Sequence, residues 1–164
     1  MTKPNDLDIL AEQELRLRFE SFGLGTAWEL GTRLRTLAEE RAQSVLIEVR
    51  LGGRTVFLTA MPGTGPDNAD WARRKANTVA LVERSSYRVG QTPPTAEGTF
   101  HERMGLPVRD YAVAGGGFPI RLVSGLCVGA VIVSGLPQRD DHKLIVEVLA
   151  EMLGLPLDGL QLEA

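Results

Sequence analysis

Residues 115–137 constrain the fold of this chain more than any other stretch. They read GGGFPIRLVSGLCVGAVIVSGLP, in which two apolar segments are separated by Ser-Gly and flanked by glycine-rich loops. A two-residue connection of this kind predicts a β-hairpin. The unbroken apolar run at 126–133 predicts a strand that is covered on both faces. We therefore expect a hairpin at the centre of a sheet, with both glycine loops at the same end of that sheet.

Two helices are predicted before the first strand. The first is capped by Asn5 or Asp6, and an apolar stripe continues until Gly23, which favours a helix end. Thr26 is the predicted cap of the second helix, and Trp28 falls on its predicted buried face. The chain would thus begin with two amphipathic helices.

The hydrophobic period then changes from that of a helix to that of a strand. Apolar residues occupy every odd position of 45–51, Gly-Gly follows, and a second apolar segment covers 55–61. This pattern predicts an antiparallel hairpin. A third helix is predicted at about 69–83, and a last helix runs from Pro137 to Gly154.

The order of these elements predicts an α+β fold, in which helices pack on a central antiparallel sheet. A length of 164 residues suits a single domain over 1–164. Its core is expected at about 8–152. Residues 153–164 are expected to form a tail that docks on a neighbouring molecule.

Composition excludes several classes of protein. A net charge of −3 argues against nucleic acid as a partner, and no apolar run is long enough to cross a membrane. The single cysteine, Cys127, allows no internal disulfide and suits a reducing compartment. The acidic N-terminal residues do not match a secretory signal. We therefore expect a cytoplasmic location.

The first candidate site consists of the two glycine loops, Gly115–Gly117 with Phe118, and Ser134 with Gly135. Glycine lets a ligand approach the backbone closely, and exposed amides hold anions or carbonyl groups. The alternative is a glycine-rich turn that only allows the chain to enter a crowded sheet. Neither a phosphate-binding loop nor a dinucleotide motif is present in these residues.

His142 is the second candidate, beside Asp140 and Asp141 in the first turn of the last helix. It could act as a base, or as a ligand of a metal or of haem. The alternative is a solvated residue near a helix cap. One cysteine and two histidines exclude a structural zinc centre, so no metal site is predicted.

The third candidate lies on the third helix, where Asn68, Trp71 and Lys75 fall within two turns. Lys75 would pair with an anionic ligand, and Trp71 would supply an apolar wall together with Phe118 and Tyr87. The alternative is a capped helix on which Trp71 packs in the core and the basic residues face solvent.

Several motifs together resemble the GlcG/HbpS-like superfamily, also called the haem-degrading domain. They are, in chain order, PGTxPDNxDWxRRK at 62–75, RSSY at 84–87, GGGFPI at 115–120 and VGAVIVSGLPQxDDH at 128–142. The pattern is similar to a branch of small, stand-alone bacterial and fungal proteins. The resemblance covers about residues 8–152.

The resemblance implies a compact α+β fold related to profilin-like sensor domains, and assembly into dimers or larger homo-oligomers. Some members of the superfamily bind haem, so haem is a possible cofactor on this ground alone. Three functions stay open. The first is an oligomeric protein that binds haem or an anionic metabolite. The others are an adaptor that acts through its surface and an enzyme that uses His142 or Lys75 as acid or base.

Overall fold

A computed structural model describes residues 5–164; residues 1–4, part of the N-terminal stretch considered above, lie outside it. The helices are α1 (Asp6–Arg16), α2 (Leu24–Glu40), α3 (Pro66–Val82), α4 (Ser86–Gln91), α5 (Phe100–Met104) and α6 (Gln138–Leu153). The strands are β1 (Arg18–Phe19), β2 (Leu46–Leu51), β3 (Arg54–Ala60), β4 (Gly117–Leu122) and β5 (Cys127–Ser134).

The strands form one sheet in the order β1-β4-β5-β2-β3. Both predicted hairpins, β2–β3 and β4–β5, are present and antiparallel, and β5 also pairs antiparallel with β2. The α+β fold with a central antiparallel sheet is thereby confirmed. The apolar run predicted to be central is β5, the middle strand of the five.

Helices cover both faces of the sheet. Helices α2 and α6 pack on one face, where Ile47, Phe118, Val131 and Val133 join the main core. Helix α3 packs on the other face over β5, β4 and β2. Because side chains alternate across a strand, adjacent residues of β5 enter different cores. This explains why residues 130–133 are all apolar.

The N-terminal helices differ from the prediction. Helix α1 ends at Arg16, and residues 18–19 form a short strand that pairs parallel with β4. Gly23, and not Thr26, caps α2; the Thr26 hydroxyl accepts a hydrogen bond from the Gly23 amide instead. Trp28, expected in the core, is 66% exposed. The periodicity of a helix stripe does not reveal how far the partner sheet extends beneath it.

The C-terminal tail also differs from the expectation. Leu160 and Leu162 are buried within their own chain, and the side chain of Gln13 donates a hydrogen bond to the Leu160 carbonyl oxygen at 2.7 Å. The tail therefore packs back on the N-terminal helix. Within residues 5–164, no helix combines the length and apolar character needed to span a bilayer.

Candidate ligand-binding site

A cleft of about 250 Å³ lies where the start of α3, the end of β5 and the start of α6 meet. Its lining residues are Asp67, Asn68, Trp71, Lys75, Ala114, Ser134, Gly135, Leu136, Gln138 and Asp141. Five of the residues proposed from sequence therefore share one cleft. They come from two segments that are about 60 residues apart in the chain.

Lys75 reaches this cleft from a buried position. It lies on the face of α3 that packs on the sheet, next to the small residues Ala72 and Ala76. Only 3% of Lys75 is exposed. The expectation of a solvated basic cluster is thus incorrect for this residue. Small neighbours leave room for its long apolar stem between the helix and the sheet.

Asp141 is the partner of Lys75. The Lys75 ammonium donates to Asp141 Oδ2 at 3.1 Å and to the Val133 carbonyl oxygen at 2.9 Å. Burial lowers the pKa of Lys75, and the Asp141 carboxylate offsets part of this shift. Burial likewise raises the pKa of Asp141, while Lys75 and two backbone amides oppose that increase. The two pKa values are therefore drawn towards each other, as expected for a buried ion pair.

The loop before α6 uses its amides to hold Asp141. Leu136 N–H donates to Asp141 Oδ1 at 2.9 Å, and Gly135 N–H donates to Oδ2 at 3.4 Å. Backbone amides at the start of a helix favour a negative charge. The Gly135 amide, which the sequence suggested for a ligand anion, thus donates to a carboxylate of the protein itself.

The loop at Gly115–Gly117 approaches the same place but is buried. Gly115 N–H donates to Gln138 Oε1 at 3.1 Å, and Gly117 N–H donates to Ser86 Oγ at 2.9 Å. Gly116 has a φ of 122°, and a Cβ there would lie 2.6 Å from Lys75 Nζ. The two loops do converge, but Gly115–Gly117 serve to pack the backbone against Lys75 and α6.

His142 lies outside the cleft and is fully buried, between Tyr87 and Phe118. Its Nε2 is 2.7 Å from Gln13 Oε1. Because the Gln13 amide nitrogen donates to Leu160, its oxygen must accept, which assigns the proton to Nε2. The other ring nitrogen, Nδ1, is buried without a partner in residues 5–164. Burial, together with the positive charge of Arg139, lowers the pKa of His142 to about 3.

Of the three predicted aromatic walls, only Trp71 lines the cleft. It is 39% exposed, and the guanidinium carbon of Arg74 lies 4.2 Å from its ring centroid. Phe118 and Tyr87 are buried in the interior beside His142. Asn68 lines the cleft, and its Oδ1 accepts a hydrogen bond from the amide of Gly65, the residue that caps α3.

Sequence reasoning missed Asp141 and Gln138 as members of this site. Asp141 was noted only as a neighbour of His142, because a helix turns consecutive side chains in different directions. One signal was present: Lys75 falls at helical spacing from Ala72 and Val79, on the apolar side of α3. A lysine on a buried face requires a buried acid as its partner.

The cleft does not suit coordination of haem iron. Histidine, cysteine, methionine and tyrosine, which hold haem iron in proteins, do not line it. Among residues 5–164, no three His, Cys, Asp or Glu side chains are grouped to hold a metal ion. The side chains that line the cleft offer hydrogen bonding and proton transfer.

Curated relatives match the chain over nearly its full length. A UPF0303 protein of Azotobacter vinelandii is 53% identical over 99% of this chain and 98% of its own. A UPF0303 protein of Serratia proteamaculans is 48% identical over 96% of this chain and 98% of its own.

Among solved structures, the Ybr137w protein superposes with a TM-score of 0.83 at 27% identity, covering 93% of this chain and 90% of its own. HbpS superposes with a TM-score of 0.61 at 20% identity, covering 81% and 90% of the two chains. The haem complex of PduOC gives 0.64 at 17% identity, over 76% and 90%. The last two comparisons show a shared fold. The family model described as haem degrading protein HbpS-like matches residues 22–150, and the chain belongs to this HbpS-like family.

Proposed function

We propose that this protein binds a small, oxygen-rich molecule in the cleft above Lys75 and Asp141. The observation that carries the proposal is the buried Lys75 ammonium, which has three protons to donate. Within residues 5–164, it has two acceptors, the Val133 carbonyl oxygen and Asp141. The third proton is therefore left to donate to an oxygen of a ligand at the inner end of the cleft.

Two amide groups add donors to the same cleft. The Oδ1 of Asn68 and the Oε1 of Gln138 accept from backbone amides, which leaves both NH₂ groups unpaired within the described part of the chain. Trp71 supplies an apolar wall. Carboxylate and carbonyl oxygens match such a set of donors. We therefore propose a small carbonyl compound or monocarboxylate as the ligand class.

The size of the cleft supports a small ligand. Pockets for drug-sized ligands measure roughly 300–1,000 Å³. The cleft measures about 250 Å³. Its charges support a ligand of low charge, since Asp141 compensates Lys75 and Asp67 adds a carboxylate. Haem, which the family name suggests, is larger than such a ligand, and none of the usual side-chain ligands of haem iron lines the cleft.

A screen of small carboxylates and carbonyl compounds by thermal shift tests the proposal, because a ligand of the native state raises the melting temperature. In a Trp28→Phe background, Trp71 is the single tryptophan and its emission reports binding. We expect Asn68→Leu and Gln138→Leu each to weaken binding about tenfold, the equivalent of one hydrogen bond. Arg54→Gln is the control, and its affinity should be unchanged.

Two outcomes would contradict the proposal. One is a ligand whose affinity is the same in wild type, Asn68→Leu and Gln138→Leu. The other is a saturable shift of the haem Soret band that disappears in the Lys75→Met protein, because it would place haem in the cleft.

A proton-transfer enzyme is the second candidate function. The specific observation in its favour is the shift of the Lys75 and Asp141 pKa values towards each other, which lowers the cost of moving a proton between them. In this role Lys75 would exchange the proton next to the carbonyl group of a bound ligand. NMR in D₂O would detect deuterium incorporation at that carbon, which the Lys75→Met protein should not catalyse.

We also propose that the chain assembles with copies of itself along the open edge of β3. Within residues 5–164, this strand pairs with β2 alone. Leu58, which is 60% exposed, lies on β3, and exposed Trp28 packs against Phe57 of the same strand. An open edge with exposed apolar side chains favours pairing with another chain. An adaptor function would use the same surface for a different protein.

Leu58→Glu tests this edge. We expect it to reduce the mass measured by light scattering towards that of one chain, since a buried carboxylate would oppose the contact. Its circular dichroism should match wild type, because Leu58 contributes little to the monomer core. Leu126→Glu, an exposed leucine at the tip of the other hairpin, is the control. Equal masses for wild type and Leu58→Glu would contradict the proposed interface.

A further inference from the structure

A second cavity of about 330 Å³ lies beside the end of α3, between α4 and α5. Its apolar lining includes Val82, Val89, Phe100 and Met104. Thr92 and two arginines, Arg84 and Arg103, also line it. It shares no residue with the cleft over Lys75. We call it the arginine groove.

The side chains of the two groove arginines have no partner within residues 5–164. Of the arginine side chains in residues 5–164, only those of Arg54, Arg84 and Arg103 make neither a hydrogen bond nor an ion pair. Two of these three therefore lie on one groove. No aspartate or glutamate lines the groove.

The groove thus combines an apolar interior with two free guanidinium groups. Guanidinium groups bind carboxylates through two parallel hydrogen bonds. The apolar side chains suit a hydrocarbon body, and a methionine adapts to its shape. The volume is near the lower end of the roughly 300–1,000 Å³ typical of ligand pockets, which favours one short chain over a large ring system.

We propose that the arginine groove binds an amphiphilic carboxylate, namely a medium-chain fatty acid. Arg84 and Arg103 hold the carboxylate, and the acyl chain lies against Val82, Val89, Phe100 and Met104. This site is independent of the proposed function of the cleft.

Titration calorimetry with decanoate, below its micelle concentration, tests the proposal. We expect R84Q/R103Q to weaken binding at least about tenfold, since it removes two charge-assisted contacts. R54Q removes the third unpartnered arginine, outside the groove, and should change the affinity less than about twofold. Decanol has the same chain without the charge and should bind at least about tenfold more weakly than decanoate. With ¹³C-methyl methionine, NMR should show the Met104 methyl signal moving as decanoate is added.

Three results would overturn the assignment. They are equal binding by wild type and R84Q/R103Q, equal binding of decanol and decanoate, and a Met104 signal that does not move at saturation. The emission of Trp71 separates the two sites, because decanoate in the arginine groove leaves it unchanged. A change in Trp71 emission without a shift of Met104 would place decanoate in the cleft and also overturn the proposal.

Discussion

Asp141→Asn is expected to lower the free energy of unfolding by about 3–5 kcal/mol, the usual cost of removing one partner of a buried ion pair. The variant leaves the Lys75 ammonium almost fully buried without its counter-charge, 3.1 Å from a neutral amide. It also weakens the acceptor that holds the amides of Gly135 and Leu136. We expect the loop before α6 to loosen together with the pair.

Urea unfolding of wild type, Asp141→Asn, Lys75→Met and the double variant measures this effect. The double variant should be more stable than the sum of the single losses predicts, because it leaves no unpaired charge inside the protein. Glu147→Gln is the matched control on the same helix. Its surface ion pair with Arg41 should contribute only about 0–1 kcal/mol. Additive losses in the double variant would show that the pair is not coupled.

Acid is expected to destabilise the protein steeply through His142. The folded state holds this side chain neutral, with a pKa of about 3. The unfolded chain binds the proton near pH 6.5. The contribution of His142 is therefore fully present above pH 6.5 and is lost as the pH falls towards 3. The slope is about 1.4 kcal/mol per pH unit, and the total approaches about 5 kcal/mol.

Unfolding in urea at several pH values between 4 and 7 gives this slope. We expect His142→Asn to reduce the slope by the amount that corresponds to about one proton taken up on unfolding, whatever its effect on stability at neutral pH. His101→Asn removes the other histidine of the chain and should keep the steep slope, because His142 remains. The same slope in wild type and His142→Asn would contradict the assignment of this proton.

The sheet was predictable because its signals are local. Gly52-Gly53 and Ser124-Gly125 each connect two apolar segments. Because a two-residue turn reverses the chain directly, the strands on either side of it pair with each other. The unbroken apolar run of β5 likewise predicts burial on both faces, and this prediction does not require knowing which elements cover the strand. These features carry most of the α+β prediction.

The site was only partly predictable because its central contact is not local. Lys75 and Asp141 are 66 residues apart, and no spacing rule links a lysine on one helix to an acid on another. The same limit applies to β1, whose two residues are a strand only because β4 lies beside them. Trp28 shows the converse case: it continues a regular apolar stripe and packs against Phe57 of the edge strand β3, yet most of its side chain stays exposed.

Gln13 joins three distant parts of the chain, because it holds the ring of His142 and the backbone of Leu160 from α1. Arg139 adds a second tie, through hydrogen bonds to Asp6 and to the Glu163 carbonyl oxygen. Fraying of either terminus would therefore release the other and admit water to the imidazole. In acid, protonation of His142 can then begin with local opening of these contacts between the two termini, before the sheet itself unfolds.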